Sequence, residues 1–275
     1  MPAITSHGLR KTYGGTVAVE SLDFAVARGT ILGFLGPNGA GKTTAIRMLS
    51  TILEPDAGSF SVAGIPHTDP VQIRRRIGVL PESAGYPATQ TAQEWLTYHA
   101  ELFGSPARAA AATATRLLGE VGLAGRAGSQ IGTMSRGMRQ RLGIARALVN
   151  DPEVVFLDEP TLGLDPAGQG QVLQLVTSVA RERGVTVVLS THLLAEVEQV
   201  CDRVLILNRG RLVSEGTIAE TVSRGAVHVQ AALLEVPAEQ REQALELLQR
   251  NGIGAASADA GRLREAFLAL TEDQP

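Results

Sequence analysis

The run "TILGFLGPNGAGKT", Thr30 to Thr43, joins a continuous apolar stretch to a loop with four glycine or lysine punctuation points. An uninterrupted apolar run of this length predicts a strand covered on both faces. The eight residues after it, Gly36, Pro37, Asn38, Gly39, Ala40, Gly41, Lys42 and Thr43, have the spacing G-x-x-x-x-G-K-[ST], and a helix is predicted from Gly41 to Ser50. Each residue type has a task there. Glycine allows the tight path that turns backbone N–H groups onto phosphate, Lys42 reaches the terminal phosphates, and the Thr43 hydroxyl can ligate Mg²⁺. A plain glycine-rich turn is the competing reading, since the chain has 30 glycines. Lysine scarcity decides against it: Lys11 and Lys42 are the two lysines among 25 basic residues. A nucleoside triphosphate is the expected ligand.

Two further apolar runs end in chemistry-bearing residues. "VVFLDEP" closes on Asp158 and Glu159, and "VTVVLSTHLL" places His192 just past its last apolar position. In open α/β sheets ligands bind outside the carboxyl ends of the strands. Asp158 is therefore a candidate for holding Mg²⁺ through water, and Glu159 for orienting or deprotonating an attacking water. His192 is placed to contact a terminal phosphate or that water. Paired acids after a strand are commonly solvated and a lone histidine is commonly structural. Three strand ends converging on one phosphate loop favour the functional reading.

Around these anchors the pattern is α/β. "LDFAV" (Leu22 to Val26) alternates like a half-buried strand, "DRVLILN" is a further continuous run, and helices are predicted over Pro166–Arg183 and Leu193–Cys201. Strands alternating with helices imply a mostly parallel sheet. From about Thr91 to Leu148 the chain reads as a helical block, including the alanine-rich "ARAAAATATRLLGEVG" from Ala107 to Gly122. Past Glu220 the pattern changes to a strand-like "AVHVQAALLEV", a helix "AEQREQALELLQRNG" and a helix "GRLREAFLALT". The expected division is a nucleotide-binding domain over 1–220 and a small α+β extension over 221–275.

With 275 residues, 44% of them hydrophobic, the chain can bury a full core. A net charge of -3 argues against nucleic acid as a partner. Cys201 stands alone, which excludes an intrachain disulfide and a cysteine zinc site and suits a reducing cytoplasm. No apolar run approaches the roughly 20 residues of a membrane span, and "MPAITSHGLRKTYGG" lacks a signal-peptide core. These features predict a soluble or membrane-peripheral protein.

"TMSRGMRQRLGIARAL", Thr133 to Leu148, opens a helix with Ser135-Arg136-Gly137 and carries four arginines and no acid. The positive end of a helix dipole and its free N–H groups make an anion site at Ser135 and Gly137. Read locally, a solvated basic face fits equally well.

Over about its first 220 residues the chain resembles the nucleotide-binding subunit of ATP-binding-cassette (ABC) transporters. The resemblance rests on "GPNGAGKT" as Walker A motif, "VVFLDEP" as Walker B motif with its catalytic glutamate, "LGLDP" with Asp165 as D-loop, and His192 as switch histidine. It implies a P-loop NTPase fold of ABC type with an antiparallel β part, a helical subdomain and a C-terminal α+β extension. It also implies nucleotide contacts along Gly36 to Thr43 and at Thr44, Tyr13 stacked on adenine, and Mg²⁺ near Thr43, Asp158 and Glu82. Catalytic roles fall on Lys42, Glu159 and His192. Ser135 and Gly137 correspond to signature residues that hold the γ-phosphate of an ATP bound by the opposite subunit, so a head-to-tail dimer is implied. Such a cassette would sit on the inner face of the cell membrane through a permease subunit.

Two positions depart from the family pattern. The signature commonly reads Leu-Ser-Gly-Gly-Gln, whereas this chain has Met134, Ser135, Arg136, Gly137 and Met138. The loop that normally supplies a glutamine reads "LPESAGYP", which puts Glu82 there. Both variants are similar to those of the bacterial drug-, lipid- and sodium-exporting branch. A soluble cassette ATPase of DNA repair or translation is a competing reading, but the zinc cysteines, coiled-coil insertion or second cassette of such proteins are not visible. A nucleotide-dependent regulator without turnover is a third, opposed by Lys42, Asp158, Glu159 and His192 together.

Overall fold

The computed structural model describes residues 2–221. Strand β1 (Ile4–Tyr13) and strand β2 (Thr16–Val26) form an antiparallel hairpin. Strand β3 (Ile31–Leu35) leads into helix α1 (Lys42–Leu49), and β4 (Ala57–Val62) and β5 (Ile65–Pro66) follow. Helix α2 (Pro70–Arg76) begins with proline in its first turn and Asp69 accepting a hydrogen bond from the Gln72 N–H, then gives way to β6 (Ile77–Leu80). Helix α3 (Ala92–Leu102) opens with a reciprocal Thr91/Glu94 capping box. Alanine-rich α4 (Ala107–Glu120), two short 3₁₀ turns and α5 (Arg136–Ala147) complete this stretch. After it come β7 (Val154–Asp158), α6 (Pro166–Arg183), β8 (Thr186–Thr191), α7 (Leu194–Val200), β9 (Arg203–Asn208) and β10 (Arg211–Thr217).

The ten strands make one sheet in the order β5-β4-β1-β2-β10-β9-β3-β8-β7-β6. Its β9-β3-β8-β7-β6 part is parallel, and β5-β4-β1-β2 is antiparallel. The periodicity reading of a mostly parallel sheet thus describes one arm, and the antiparallel arm is the part that the family resemblance supplied. Within the parallel arm β3, β7 and β8 are buried at every position, as their unbroken apolar runs require.

Alternation along β3 assigns its two faces. Leu32 and Phe34 join one apolar cluster with Ala45, Ile46, Met48 and Leu49 of α1 and Phe156, Val188 and Leu205 of the neighbouring strands. Gly33 turns to the other face, where α7 lies so close that a β-carbon would stand 3.0 Å from Cys201 Sγ. Helix α1 is held from below by this core, which fixes the loop ahead of it.

The chain divides into Met1–Glu215 and Gly216–Pro275. The strand expected over 226–236 and the helices expected over 238–252 and 261–271 lie outside the described residues. Among those residues no helix is long and apolar enough to cross a membrane.

Candidate functional site

Strand register brings the three predicted strand ends level. Leu35 of β3 pairs with Thr191 of β8, and Asp158 of β7 pairs with Ser190 of β8, so Gly36, Glu159 and His192 all leave the sheet at the same edge. Strand β3 lies between β8 and β9, a position where ligands of doubly wound sheets bind.

The loop from Gly36 to Thr43 needs glycine at both ends for packing reasons. A β-carbon at Gly36 would stand 2.2 Å from the Leu207 carbonyl oxygen, and one at Gly41 2.5 Å from that of Ala18. Gly41 is also the N-cap of α1 with φ 101°, a conformation that side chains resist. Between them Pro37, Asn38 and Gly39 are exposed, Ala40 is buried and accepts a hydrogen bond from the Gly210 N–H, and Thr44 is half-buried in α1.

Lys42 folds back under this loop. It is buried, and its Nζ donates to Gly36 O at 2.9 Å and Pro37 O at 3.2 Å. The same Nζ lies 3.4 Å from Glu159 Oε1, and Glu159 Oε2 lies 3.0 Å from His192 Nδ1. A second chain runs beside the first: the Thr43 hydroxyl donates to Asp158 Oδ1 at 3.0 Å, Ser190 Oγ donates to the same oxygen at 2.6 Å, and the Glu159 N–H donates to Ser190 Oγ at 3.0 Å. Glu159 holds φ 48°, in the left-handed region. Non-glycine residues are kept in that region where the surroundings over-determine them. Here the Ser190 hydroxyl and the Lys42 and His192 side chains supply that constraint. Ser190 was not singled out from sequence, although a polar residue closing an otherwise apolar run is the available signal.

The other site residues of the sequence analysis stand apart from this cluster. Tyr13 is 46% exposed at the end of β1. Glu82 is exposed two residues beyond β6, and among the described residues it makes no hydrogen bond or ion pair; β6 pairs with β7 so that Leu80 faces Leu157. Its loop is anchored at Tyr86, whose ring lies 5.3 Å from that of Trp95 and whose hydroxyl burial pushes above the usual tyrosine range. Arg146 of α5 covers Trp95 at 5.7 Å and donates to Val79 O, so loop, α3 and α5 share one buried contact.

Ser135 caps α5, its hydroxyl accepting from the Met138 N–H at 3.2 Å, while Gly137 is open enough that a β-carbon would meet Leu164 at 4.0 Å and, among the described residues, nothing nearer. Arg136 lies over Gly163 in the loop between Glu159 and Asp165. Asp165 caps α6 by accepting from the Gly168 N–H at 2.9 Å.

Residues 19–162 match the protein family described as ABC transporter. The chain is 40% identical to the daunorubicin resistance ATP-binding protein DrrA3 of Streptomyces coeruleorubidus, over 98% of this chain and 96% of that protein. It is 42% identical to the bacitracin transport ATP-binding protein BcrA of Bacillus licheniformis, over 77% of this chain and 69% of that one. Among solved structures, an ATP-binding subunit of an ABC transporter is 28% identical with a TM-score of 0.73, covering 98% of this chain and 99% of its own. The dimeric ATP-binding cassette MJ0796, bound to ADP and Pi, has the same fold, with a TM-score of 0.71 at 24% identity over 78% of this chain and 98% of its own.

Proposed function

The chain belongs to the ABC transporter family, and we propose that it is the ATP-hydrolysing subunit that powers a separate membrane permease in export. The observation that carries this reading is the contact chain Lys42–Glu159–His192, its first two side chains buried and its histidine open to solvent, at the carboxyl ends of three neighbouring strands, directly under a phosphate-binding loop. Related proteins named for Nod factor export support export as its direction. It acts from the inner face of the membrane, held there by its permease.

In this mechanism the backbone from Gly36 to Thr43 and Thr44 surrounds the phosphates, and Lys42 moves from the loop carbonyls to their terminal oxygens. Tyr13 stacks on the adenine. Thr43 and Asp158 would hold Mg²⁺, Asp158 through water: both present hard oxygens beside the phosphate loop, and the two side chains meet in a 3.0 Å hydrogen bond. The described residues contain no cluster of three or more His, Cys, Asp or Glu side chains able to hold a metal, so phosphate oxygens and water would complete its coordination. When bound, Mg²⁺ supplies charge neutralisation for the phosphates. Glu159 accepts a proton from water as its oxygen bonds to the γ-phosphorus and the bond to the bridging oxygen of ADP breaks, leaving ADP and inorganic phosphate. His192 holds Glu159 in register and faces the γ-phosphate. Glu82 relays the state of this site to the permease.

Ser135 and Gly137 complete the site of a second subunit, in a head-to-tail dimer with a further copy or another cassette. Asp165, in the loop beside them, lines the same interface. The test is the assembly state of Glu159→Gln, measured by light scattering after size exclusion with and without ATP and Mg²⁺. A dimer that forms with ATP and is absent without it is expected; a monomer that binds no ATP would overturn the reading.

A further inference from the structure

We infer that Glu196 is a positioning residue for His192, acting through the hydroxyl of Thr191. This rests on the role given to His192 above. The chain leaves β8 at Thr191 and enters α7 at Leu194, so His192 sits on a short connection that must be held if its ring is to stay on Glu159. Thr191 Oγ1 accepts a hydrogen bond from the Leu193 N–H at 3.0 Å and donates its own proton to Glu196 Oε2 at 2.6 Å. A hydroxyl has a single proton. By taking it, Glu196 fixes the rotor and leaves a lone pair aimed at Leu193. The residues on either side of His192 are thereby tied to each other through one buried oxygen.

Burial makes this an unusual place for a carboxyl group. Glu196 is 4% exposed, its helix otherwise buries Val197 and Val200, and its Oε1 has no hydrogen-bond partner among the described residues. An unsatisfied buried oxygen is a net cost that an apolar side chain would avoid. A packing role alone gives no reason for a carboxyl here, whereas a hydrogen-bond acceptor for Thr191 does. Removing the acceptor frees the hydroxyl to rotate, loosens the Leu193 N–H, and lets the imidazole swing away from Glu159 Oε2, now 3.0 Å from it.

The experiment compares Glu196→Ala, Thr191→Val, Thr191→Ser and the Glu196→Ala/Thr191→Val double variant in the full chain. Steady-state ATP turnover is measured alongside NMR of histidine-labelled protein. Misplaced catalytic groups cost up to about a hundredfold, so Glu196→Ala and Thr191→Val should each lower kcat by about five- to fiftyfold with KM for ATP within about twofold. Thr191→Ser, which keeps the hydroxyl, should restore most of the loss, and the double variant should be no slower than either single one. His192 ring signals should shift in Glu196→Ala and Thr191→Val. Unaltered His192 signals, or losses that multiply in the double variant, would overturn the inference. If His192→Ala keeps full turnover while the ring signals still move, the catalytic role of His192 fails and the tether stands. Should Glu196→Ala not fold, the Thr191 pair decides alone.

Discussion

Lys42 and Glu159 form an ion pair across the phosphate-binding loop, 3.4 Å from Nζ to Oε1, with both side chains buried. Each has a second set of partners, the loop carbonyls for Lys42 and His192 for Glu159. In the proposed mechanism the cation for the phosphates and the base for water are thus stored against each other. Lys42→Ala should abolish ATP turnover and leave Glu159 with His192 as its remaining side-chain partner. Leaving a buried polar group short of a partner costs about 1–3 kcal/mol, or about 2–4 °C of Tm per kcal/mol for a chain of this size. Glu159→Gln, which keeps the shape and an acceptor oxygen, should bind ATP and hydrolyse it about 10² to 10⁴ times more slowly. Wild-type turnover in either variant would remove that residue from the chemistry.

Tyr13 gives a prediction of binding without chemistry. Its ring is one of eight large hydrophobic side chains exposed among the described residues, and it lies at the β1–β2 turn. Stacking of a base on an aromatic ring contributes about 1–3 kcal/mol. Tyr13→Ala should therefore raise KM for ATP by about five- to a hundredfold at similar kcat, and Tyr13→Phe should not. Competition by GTP separates stacking from base-specific hydrogen bonding. Equal KM in Tyr13→Ala and the parent chain would make Tyr13 a turn residue.

The parallel arm was readable because β3, β7 and β8 are buried on both faces and so appear as continuous apolar runs, and the helix read from Pro166 to Arg183 has the same limits in the structure. Strand β1 hid itself: register shifts between Ser6 and Leu9 and again at Lys11 break its alternation, leaving Ile4, Ser6 and Leu9 as its buried positions. Strand β4 buries Phe60 and Val62 alone, and α2 buries Ile73 alone, too little for a periodic signal. Motif spacing named Lys42, and the ends of apolar runs named Asp158, Glu159 and His192, but their mutual contacts depend on the pairing of Asp158 with Ser190 and Leu35 with Thr191, a property of register that no local pattern carries.

Glu82 lies one strand over from Glu159, beyond the end of β6, and its loop is tied to α5 through Tyr86, Trp95 and Arg146. A residue that relays the site to a permease should affect coupling more than chemistry. In vesicles reconstituted with the permease, Glu82→Ala should lower the ratio of transport to ATP turnover. Parallel loss of both would move Glu82 into the reaction itself.

The α5 mouth poses the remaining question of where its anion comes from. Ser135 is exposed, Gly137 has open space in front of it, and neither makes a hydrogen bond to Lys42 or Thr43. If each site of a dimer combines Lys42 of one subunit with Ser135 and Gly137 of the other, lesions at the two places should complement. Gly137→Asp puts a carboxylate where the γ-phosphate would lie and repels it, so it should be inactive alone, as should Lys42→Ala. In the mixed dimer one composite site carries both lesions and the other carries neither. Random pairing makes about half the dimers mixed, so up to roughly a quarter of full activity should return when one intact site suffices. Subunit exchange is verified with differently tagged chains. If exchange occurs and no activity returns, a titration of the parent chain with Gly137→Asp discriminates between the two causes. Activity falling in proportion to the mutant fraction means that one site suffices, and failed complementation then counts against the shared site. A steeper, quadratic fall means that both sites must act together, which leaves the shared architecture intact and makes hydrolysis cooperative between the two subunits.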